Sequence, residues 1–435
     1  MHLYKTLFMK MTGIVILSCI VFQACVQRAQ DQNPPASTSS SHPPYPSFRP
    51  TELQGEKNFA HLINLYTQGK VEPQPWAGYW WPYTKNGIAA GGFMDAQSPA
   101  GKYDAARGGS THAQSWEIIH HGAGVPKVQQ WWGHCNGWCA ASALFPEPAG
   151  PVKVNGIPFS IGDIKGLLTE AGMSVSADFY GERVNVDDPN SSQYLDTIPD
   201  QYFLVLTNFI GKLKHAVLID RYTGSQVWNQ PLAGYRFEYP KPSDYLGNLP
   251  EAPHIYRILL TSTLWWMDDG VDPSIQSPTF NYEDDPNGVI QSRTLRMELW
   301  VDAPITFNDQ GKIISSGDVV VTRKDKTLIG GEWRIGDGYI VDGWPDYMWV
   351  PYQLTSPTDP DQDYINPEID IQWIQSHLLA PGGVDDPGII PTPIEPAPMP
   401  MPSGFPSGGF PTGLPSSLPS PPWAAPRSHF IYEGH

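Results

Sequence analysis

The density of proline and glycine is the feature that most constrains what this chain can fold into. Of its 435 residues 46 are Pro and 41 are Gly, and from Pro381 onward one or the other stands at nearly every second position. These residues interrupt helices and strands, and a segment made mostly of them cannot bury enough apolar surface to hold a core. We therefore predict a disordered Pro/Gly-rich tail over residues 381–435 and a fold that is not mainly helical before it.

The N-terminal residues have the pattern of an export signal. Two lysines border an apolar run that ends at Phe22, and this run is too short to span a bilayer comfortably. The pair Ala24-Cys25 resembles a bacterial lipobox, whose cysteine is acylated after cleavage. We expect a lipoprotein signal peptide over 1–25, lipidation at Cys25 and a disordered tether rich in Ser and Pro over 26–51. The expected product is a lipoprotein of the bacterial cell envelope, held at the outer membrane; plain secretion is the alternative.

Charge and cysteine content further limit the classes of protein to which this chain can belong. Lys and Arg number 27 against 44 Asp and Glu, for a net charge of −17, which repels phosphate backbones and argues against a nucleic-acid partner. With Cys19 removed and Cys25 lipidated, Cys135 and Cys139 are the remaining cysteines. Two cysteines cannot form a disulfide-rich scaffold. Residues 52–380 are therefore expected to fold as a domain with a hydrophobic core.

Within this domain the pattern favours an α+β fold. The sequence predicts short helices over Asn136–Phe145 and Ile161–Ala171, and antiparallel strands over most of the later part. We expect the first helix, which follows Cys135, to pack on the later antiparallel sheet. The predicted strands are Gln201–Ile210, His215–Asp220, Ser225–Pro231, Gly234–Tyr239, His254–Met267, Ser292–Asp302 and Asp318–Trp333.

Cys135 is the first candidate for catalysis. It begins a helix of small residues, and the positive end of a helix dipole favours the thiolate that a nucleophile needs. Cys139 lies one turn further and is the alternative nucleophile. The other interpretations are a buried structural thiol or a metal-binding Cys135/Cys139 pair; because no second pair of ligands is nearby, we expect no metal there.

His215 is the candidate base for this thiol. If Tyr222–Gly224 forms a three-residue hairpin turn, His215 stands opposite Pro231 and Asn229 lies diagonally on the same face. Asn229 would then orient the imidazole, whereas Asp220 would face the other way. A register error of one residue would reverse this assignment and make Asp220 the alternative catalytic residue. If the base lies elsewhere, the next candidates are His112, His120, His121 and His134.

The order Cys, His, Asn resembles that of the papain-like cysteine hydrolases, in which His and Asn lie on neighbouring strands behind a cysteine-bearing helix. In this resemblance Gln129, six residues before Cys135, takes the place of the oxyanion glutamine. The chain departs from the papain pattern in that Trp138 stands three residues after the cysteine instead of directly after it.

A sharper resemblance rests on the segment "VWNQPLAGYRFEY", Val227 to Tyr239. It is similar to the peptide motif of the secreted transglutaminases of plant-pathogenic oomycetes, which elicits plant defence and has bacterial relatives. The supporting segments are "PWAGYWWPYTKNGIA" (Pro75–Ala89), "WWGHCNGWCAAS" (Trp131–Ser142), "VNGIPFSIGDIKGLL" (Val154–Leu168), "LIGGEWR" (Leu328–Arg334) and "WPDYMWVP" (Trp344–Pro351).

This resemblance implies a papain-like topology and a transglutaminase reaction: Cys135 takes the acyl group of a glutamine carboxamide and passes it to an amine. The partners would be proteins that carry Gln and Lys or other amine groups. Two alternatives remain, a cysteine protease or amidase and a non-catalytic envelope-binding relative. The family pattern has His where this chain has Trp344, and Ala where it has Cys139.

No cofactor follows from the sequence with certainty. Acidic clusters at Asp268-Asp269, at Asp284-Asp285 and at Asp359, Asp361 and Asp363 offer oxygen ligands for Ca²⁺. The last cluster departs from an EF-hand loop at Pro360 and Tyr364, so solvated loops are the preferred interpretation.

Overall fold

A computed structural model of the chain describes residues 55–90, 97–181, 197–222, 226–283, 288–322, 329–334, 344–354 and 365–379. These residues belong to one unit, Met1–Asp385. The expected signal peptide, tether and tail lie outside the described residues, as does Cys25. Among the described helices, none combines the length and the apolar run that crossing a bilayer requires.

An antiparallel sheet forms the centre of the described chain. It has nine described strands, the longest of which has 16 residues, and two further strand pairs form separate two-stranded sheets. The strands are β1 (Gln68–Lys70), β2 (Val152–Val154), β3 (Ile157–Phe159), β4 (Val175–Gly181), β5 (Leu218–Asp220), β6 (Asn229–Phe237), β7 (Tyr245–Leu249), β8 (Ala252–Met267), β9 (Ile290–Val301), β10 (Thr306–Phe307), β11 (Ile313–Ser315), β12 (Gly331–Trp333) and β13 (Tyr347–Leu354).

The order of the sheet is β12-β9-β8-β6-β5-β13-β4, with β1 paired to β6 and β7 paired to β8. Strand β6 is central: its first residues pair with β5 and its later residues pair with β1 and β8. Asn229, Gln230 and Pro231 of the "VWNQP" motif are the first residues of β6 and are buried in the sheet, whereas Val227 and Trp228 precede the strand and are half-buried.

Helices cover both faces of this sheet. They are α1 (Phe59–Leu65), α2 (Pro99–Ala106), α3 (Ala113–His120), α4 (Cys135–Leu144), α5 (Ile161–Ala171), α6 (Pro199–Val205) and α7 (Ile371–Ile374), of which α6 continues as a wider helix over Leu206–Lys212 and α7 over Gln375–Leu379. The predicted helices at Asn136–Phe145 and Ile161–Ala171 are confirmed as α4 and α5. A mixed fold of helices and antiparallel sheet is therefore confirmed.

The predicted strand over Gln201–Ile210 is wrong, because these residues are helical in α6 and its continuation. Residues 202–210 are all buried, so the segment is apolar on every side and carries no helical period that the sequence could reveal. Pro199, in the first turn, starts the helix where its missing N–H costs no hydrogen bond.

Two hydrophobic cores lie on the two faces of the sheet, and they determine what can reach Cys135. The first core contains Phe209 of the α6 continuation and Ile219 of β5. The second core contains Trp138 and Cys139 of α4 together with Leu218 of β5. Leu218 and Ile219 are consecutive in β5, so their side chains point to opposite faces of the sheet. The even-numbered residues of β5, Leu218 and Asp220, therefore face the helix that carries Cys135.

Candidate active site

Cys135 lies in the first turn of α4, and the hydrogen bonds and close packing of the two preceding residues hold the start of this helix in place. The backbone N–H of His134, the residue before the helix, donates to the carbonyl oxygen of Trp80 over 2.7 Å, and the His134 carbonyl accepts the N–H of Trp138 over 2.9 Å. A Cβ on Gly133 would stand 2.5 Å from the Trp80 ring, so glycine permits this close approach. The N–H groups of the first turn of α4, which have no acceptor within the helix, therefore begin at Cys135.

The two cysteines of α4 differ in their surroundings. Both are free thiols. Cys139 is fully buried and belongs to the core between α4 and the sheet, whereas Cys135 stands outside that core with 6% of its surface exposed. This difference agrees with a reacting Cys135 and a packing Cys139, an assignment that stays a prediction.

Asn229 lies beside the Cys135 sulfur, whereas the sequence analysis expects it to orient the imidazole of His215. Its side-chain N–H donates toward Sγ over 3.8 Å, and the carbonyl oxygen of Val227 lies 3.8 Å from the same sulfur. The indole N–H of Trp349 donates to Asn229 Oδ1 over 2.9 Å. Since an indole N–H can only donate, Oδ1 must face Trp349, and the amide N–H₂ is left to face the sulfur.

The predicted register between β5 and β6 is wrong by three residues. The structure pairs Leu218 with Pro231 and Asp220 with Asn229, whereas the predicted turn places His215 opposite Pro231. An odd shift exchanges the two faces of a strand. Asp220 therefore lies on the α4 side with Asn229, and the hypothesis that Asp220 faces away is corrected.

His215 consequently lies away from the thiol, among residues of the opposite core. Its ring contacts Phe209 and Tyr352, with centroid separations of 6.3 and 6.0 Å. Burial lowers the pKa of His215 to about 4, so its imidazole is neutral at physiological pH. The structure thus brings Cys135 and Asn229 together without His215.

Asp220 holds the chain segment that faces the sulfur. Its Oδ1 accepts the backbone N–H of Trp228 over 2.8 Å. Its own backbone carbonyl accepts the N–H of Asp346 over 2.9 Å, which joins β5 to the residue before β13. Trp228 is half-buried and lies against Trp80, with ring centroids 5.4 Å apart. The Trp80 and Trp228 indoles therefore pack edge to face, beside the chain segment whose Val227 carbonyl lies 3.8 Å from the Cys135 sulfur.

Asp269 is a site residue that the sequence analysis missed. It is 3% exposed, its backbone carbonyl accepts the N–H of Trp80 over 3.0 Å, and its side-chain Oδ2 is buried without a hydrogen-bond partner among the described residues. Burial, followed by the neighbouring Asp268, raises the pKa of Asp269 to about 7. The Asp268-Asp269 pair resembles a solvated acidic turn in the sequence, and nothing local reveals that one of the two carboxylates is buried.

The charges around Cys135 oppose the helix dipole. Burial raises the pKa of the Cys135 thiol to about 12; hydrogen bonds from Asn229 act in the opposite direction, and the carboxylates of Asp269 and Asp220 raise the pKa further. The expectation of a thiol poised toward thiolate is therefore corrected. The site holds a neutral thiol that needs a proton acceptor beside it.

Two other expected positions lie elsewhere. Gln129 is exposed, and its side chain donates to the carbonyl of Lys127 over 3.3 Å, so the structure does not bring it to the sulfur as an oxyanion donor. Trp344, which stands at the position of the family His, is buried in the first core and stacks on Trp333 with centroids 5.6 Å apart.

A second cluster of polar side chains lies directly behind the start of α4. It joins Glu117 and His121, one turn apart at the end of α3, with His134 and with Glu170 of α5. All four side chains are buried. Burial alone would lower the pKa of His134, but the carboxylates of Glu117 and Glu170 outweigh burial and raise it to about 10. This is the part of the described chain whose residues could hold a metal ion.

The other histidine and acidic candidates take no part in either group. His112 is exposed and precedes α3, and the ring of His120 stacks on Trp116 with centroids 4.1 Å apart. Asp268 is half-buried and accepts the N–H of Gly270. The remaining acidic clusters, at Asp284-Asp285 and at Asp359, Asp361 and Asp363, lie outside the described residues.

Comparison with known proteins supports the family resemblance. The family model of the transglutaminase elicitors matches residues 120–244, a segment that contains both Cys135 and the "VWNQP" motif. The chain is similar in structure to the GP42 transglutaminase from Phytophthora sojae, with a TM-score of 0.52 and 21% identity over 75% of this chain and 93% of that one. At this identity the likeness shows the fold alone. A comparison with curated proteins gives no match.

Proposed function

We propose that this chain is a transglutaminase that transfers the acyl group of a protein glutamine to an amine through a thioester on Cys135. The observation that carries the proposal is the surroundings of the sulfur: a thiol at the start of α4, an asparagine amide aimed at it and two buried carboxylates acting on it. The match of residues 120–244 to the family model of the transglutaminase elicitors supports acyl transfer as the reaction class.

The first half-reaction forms the thioester. Cys135 Sγ attacks the carbon of the glutamine carboxamide while the Asp269 carboxylate takes the thiol proton. A carboxylate with a pKa of about 7 suits this role because a general acid–base group works best when its pKa lies near the working pH. The N–H groups of the first turn of α4 and the Asn229 amide stabilise the oxyanion. Ammonia leaves with the proton that Asp269 returns.

The second half-reaction forms the isopeptide bond. An incoming amine attacks the thioester carbon and gives its proton to Asp269, and the leaving sulfur is reprotonated. The balance is one glutamine carboxamide and one amine converted into one isopeptide bond and one ammonia. In this proposal Trp80 and Trp228 supply an apolar wall for the methylene groups of the glutamine side chain, and Asp220 positions Trp228 through its backbone N–H.

The test is incorporation of a fluorescent primary amine into a glutamine-rich protein, measured together with ammonia release. Wild type should do both, Cys135→Ala should do neither, and Cys139→Ala is the matched control because it removes a thiol from the same helix and should retain activity. Release of ammonia without amine incorporation would identify an amidase or another hydrolase on the same residues. Absence of both activities in a folded wild-type chain would identify a non-catalytic binding relative.

A further inference from the structure

The cluster behind α4 has the shape of a metal site. The side-chain nitrogen His134 Nε2 lies 3.0 Å from His121 Nδ1, 3.0 Å from Glu117 Oε1 and 2.9 Å from Glu170 Oε2. His121 Nδ1 lies 3.1 Å from Glu117 Oε2 and 3.7 Å from Glu170 Oε2. Ligands at about 2.0 Å from a tetrahedral metal ion are about 3.3 Å from one another. The five separations run from 2.9 to 3.7 Å, with Glu117 offering a different oxygen to each imidazole, and one ligand atom from each of the four residues lies within 4.8 Å of the others.

The hydrogen bonds around the cluster leave its inner atoms facing one point. His134 Nδ1 lies 2.9 Å from the carbonyl oxygen of Trp81, which can only accept, so Nδ1 carries the proton and Nε2 faces inward. The backbone N–H of Asn366 donates to Glu170 Oε1 over 2.8 Å, which leaves Oε2 facing the imidazoles. Fixed tautomers and singly bonded carboxylates of this kind are the usual outer contacts of metal ligands.

A proton satisfies this arrangement less well than a metal does. A hydrogen on His134 Nε2 can point at one acceptor, whereas three candidate acceptor atoms stand within 3.0 Å of that nitrogen. A donor set of two imidazole nitrogens and two carboxylate oxygens suits Zn²⁺ and neighbouring transition metals, and does not suit Ca²⁺, which takes oxygen ligands.

Gly87 lies against the same cluster of side chains. Its backbone has φ +52°, and a Cβ there would overlap Glu117 Oε1 and stand 2.7 Å from His134 Cε1. The chain therefore approaches Glu117 and His134 as closely as glycine allows, and a larger residue at position 87 would displace these two side chains.

We propose that Glu117, His121, His134 and Glu170 bind one divalent transition-metal ion, with Zn²⁺ as the reference ion. Because His134 directly precedes Cys135, the ion joins α3 and α5 to the start of α4 and positions the thiol from behind. The ion does not touch the substrate. The metal site stands on its own geometry, and its effect on catalysis rests on the proposed function.

The experiment measures metal content and unfolding temperature of the purified full chain. We expect about one equivalent of Zn²⁺ or Mn²⁺ per chain by mass spectrometry after growth in metal-supplemented medium. Chelation should lower the unfolding temperature by at least about 5 °C, and Zn²⁺ should restore it. Co²⁺ should give the visible absorption of a tetrahedral site, while Ca²⁺ should restore nothing.

Two variants distinguish loss of the metal site from a general loss of stability. Glu170→Gln keeps size and hydrogen-bonding capacity but should reduce bound metal at least tenfold, whereas His120→Ala, next to His121 and outside the cluster, should retain it. If Glu170→Gln fails to fold, the Co²⁺ spectrum of wild type still decides the matter. A wild-type chain that retains no metal, shows no tetrahedral Co²⁺ band and unfolds at the same temperature with and without Zn²⁺ would overturn the proposal. Metal binding without amine transfer would instead contradict only the proposed function.

Discussion

At the scale of single residues, the central problem of this site is a thiol that holds its proton. Burial and two carboxylates raise the pKa of Cys135 to about 12, so the thiolate is scarce at neutral pH. Attack on a carboxamide then requires an acceptor that takes the proton as the carbon–sulfur bond forms. We propose Asp269, whose pKa burial raises to about 7, as this acceptor.

The pH dependence of the rate tests this role. Only the ionised form of Asp269 accepts a proton, so kcat/KM for amine incorporation should rise as the pH increases through about 7 and level off above it. Asp269→Asn should lower kcat/KM at least about a hundredfold and abolish this rise. His215→Asn is the control, because a buried imidazole in the opposite core should leave the profile unchanged. A normal profile in Asp269→Asn, or a lost one in His215→Asn, would contradict the assignment.

At this scale the sequence could single out Cys135 and Asn229, because a helix start and a recognisable motif carry them, and the structure places the two side chains next to each other; their catalytic roles stay a prediction. It could not identify the proton acceptor. The turn predicted at Tyr222–Gly224 gives a register between β5 and β6 that is wrong by three residues. Because an odd shift exchanges the two faces of a strand, Asp220 and not His215 lies on the α4 face. Asp269 comes to the site because the C-terminal end of strand β8 lies next to Trp80. Asp269 and Trp80 are almost 190 positions apart in the chain, and no local sequence pattern shows such a contact.

At the scale of elements, the position of Cys135 depends on how closely α4 approaches α5. A Cβ on Gly137 would overlap the carbonyl oxygen of Thr169, and a Cβ on Gly172 would overlap the carbonyl oxygen of Gly137. Helix α4 also packs on β6 and β13, so it is held between α5 and the sheet. The small residues after Cys135 therefore serve close packing as well as helix formation.

Gly137→Ala tests this packing. Alanine in a helix interior is favoured over glycine by about 1 kcal/mol, but separating two packed backbones costs about 1–3 kcal/mol. We expect the second effect to prevail, with the free energy of unfolding lowered by about 1–2 kcal/mol in chemical denaturation and amine incorporation reduced because Cys135 shifts. Gly150→Ala, where a Cβ meets nothing within 4 Å, should change the unfolding free energy by less than about 0.5 kcal/mol. Equal stability of the two variants would argue against tight α4–α5 packing.

Elements with local start and stop signals were predictable, and elements defined by burial were not. Helix α5 begins at a capping box between Ser160 and Asp163 and ends before Gly172, so its bounds follow from the sequence. The helix over Pro199–Val205 and its continuation lack such a pattern, since burial on every side makes the segment apolar throughout.

At the scale of the whole molecule, the described domain is expected to work outside the cell, tethered by its N-terminus. This expectation rests on Ala24-Cys25 and the polar residues that follow. Mass spectrometry of the mature protein should find an acylated Cys25 at the N-terminus, and Cys25→Ala should release the protein from the membrane fraction. An unmodified N-terminus at any other residue would exclude lipid anchoring.

The most direct test of the account is detection of the acyl-enzyme itself. When the purified chain is mixed with a short glutamine peptide without an amine acceptor and quenched in acid, peptide mapping by mass spectrometry should find the peptide attached to Cys135, with a mass lower by one ammonia than the sum of the two parts. The adduct should disappear on addition of a primary amine and should be absent from Cys135→Ala. An adduct on Cys139, or amine incorporation in a Cys135→Ala chain, would contradict the assignment of Cys135 as the residue that carries the acyl group.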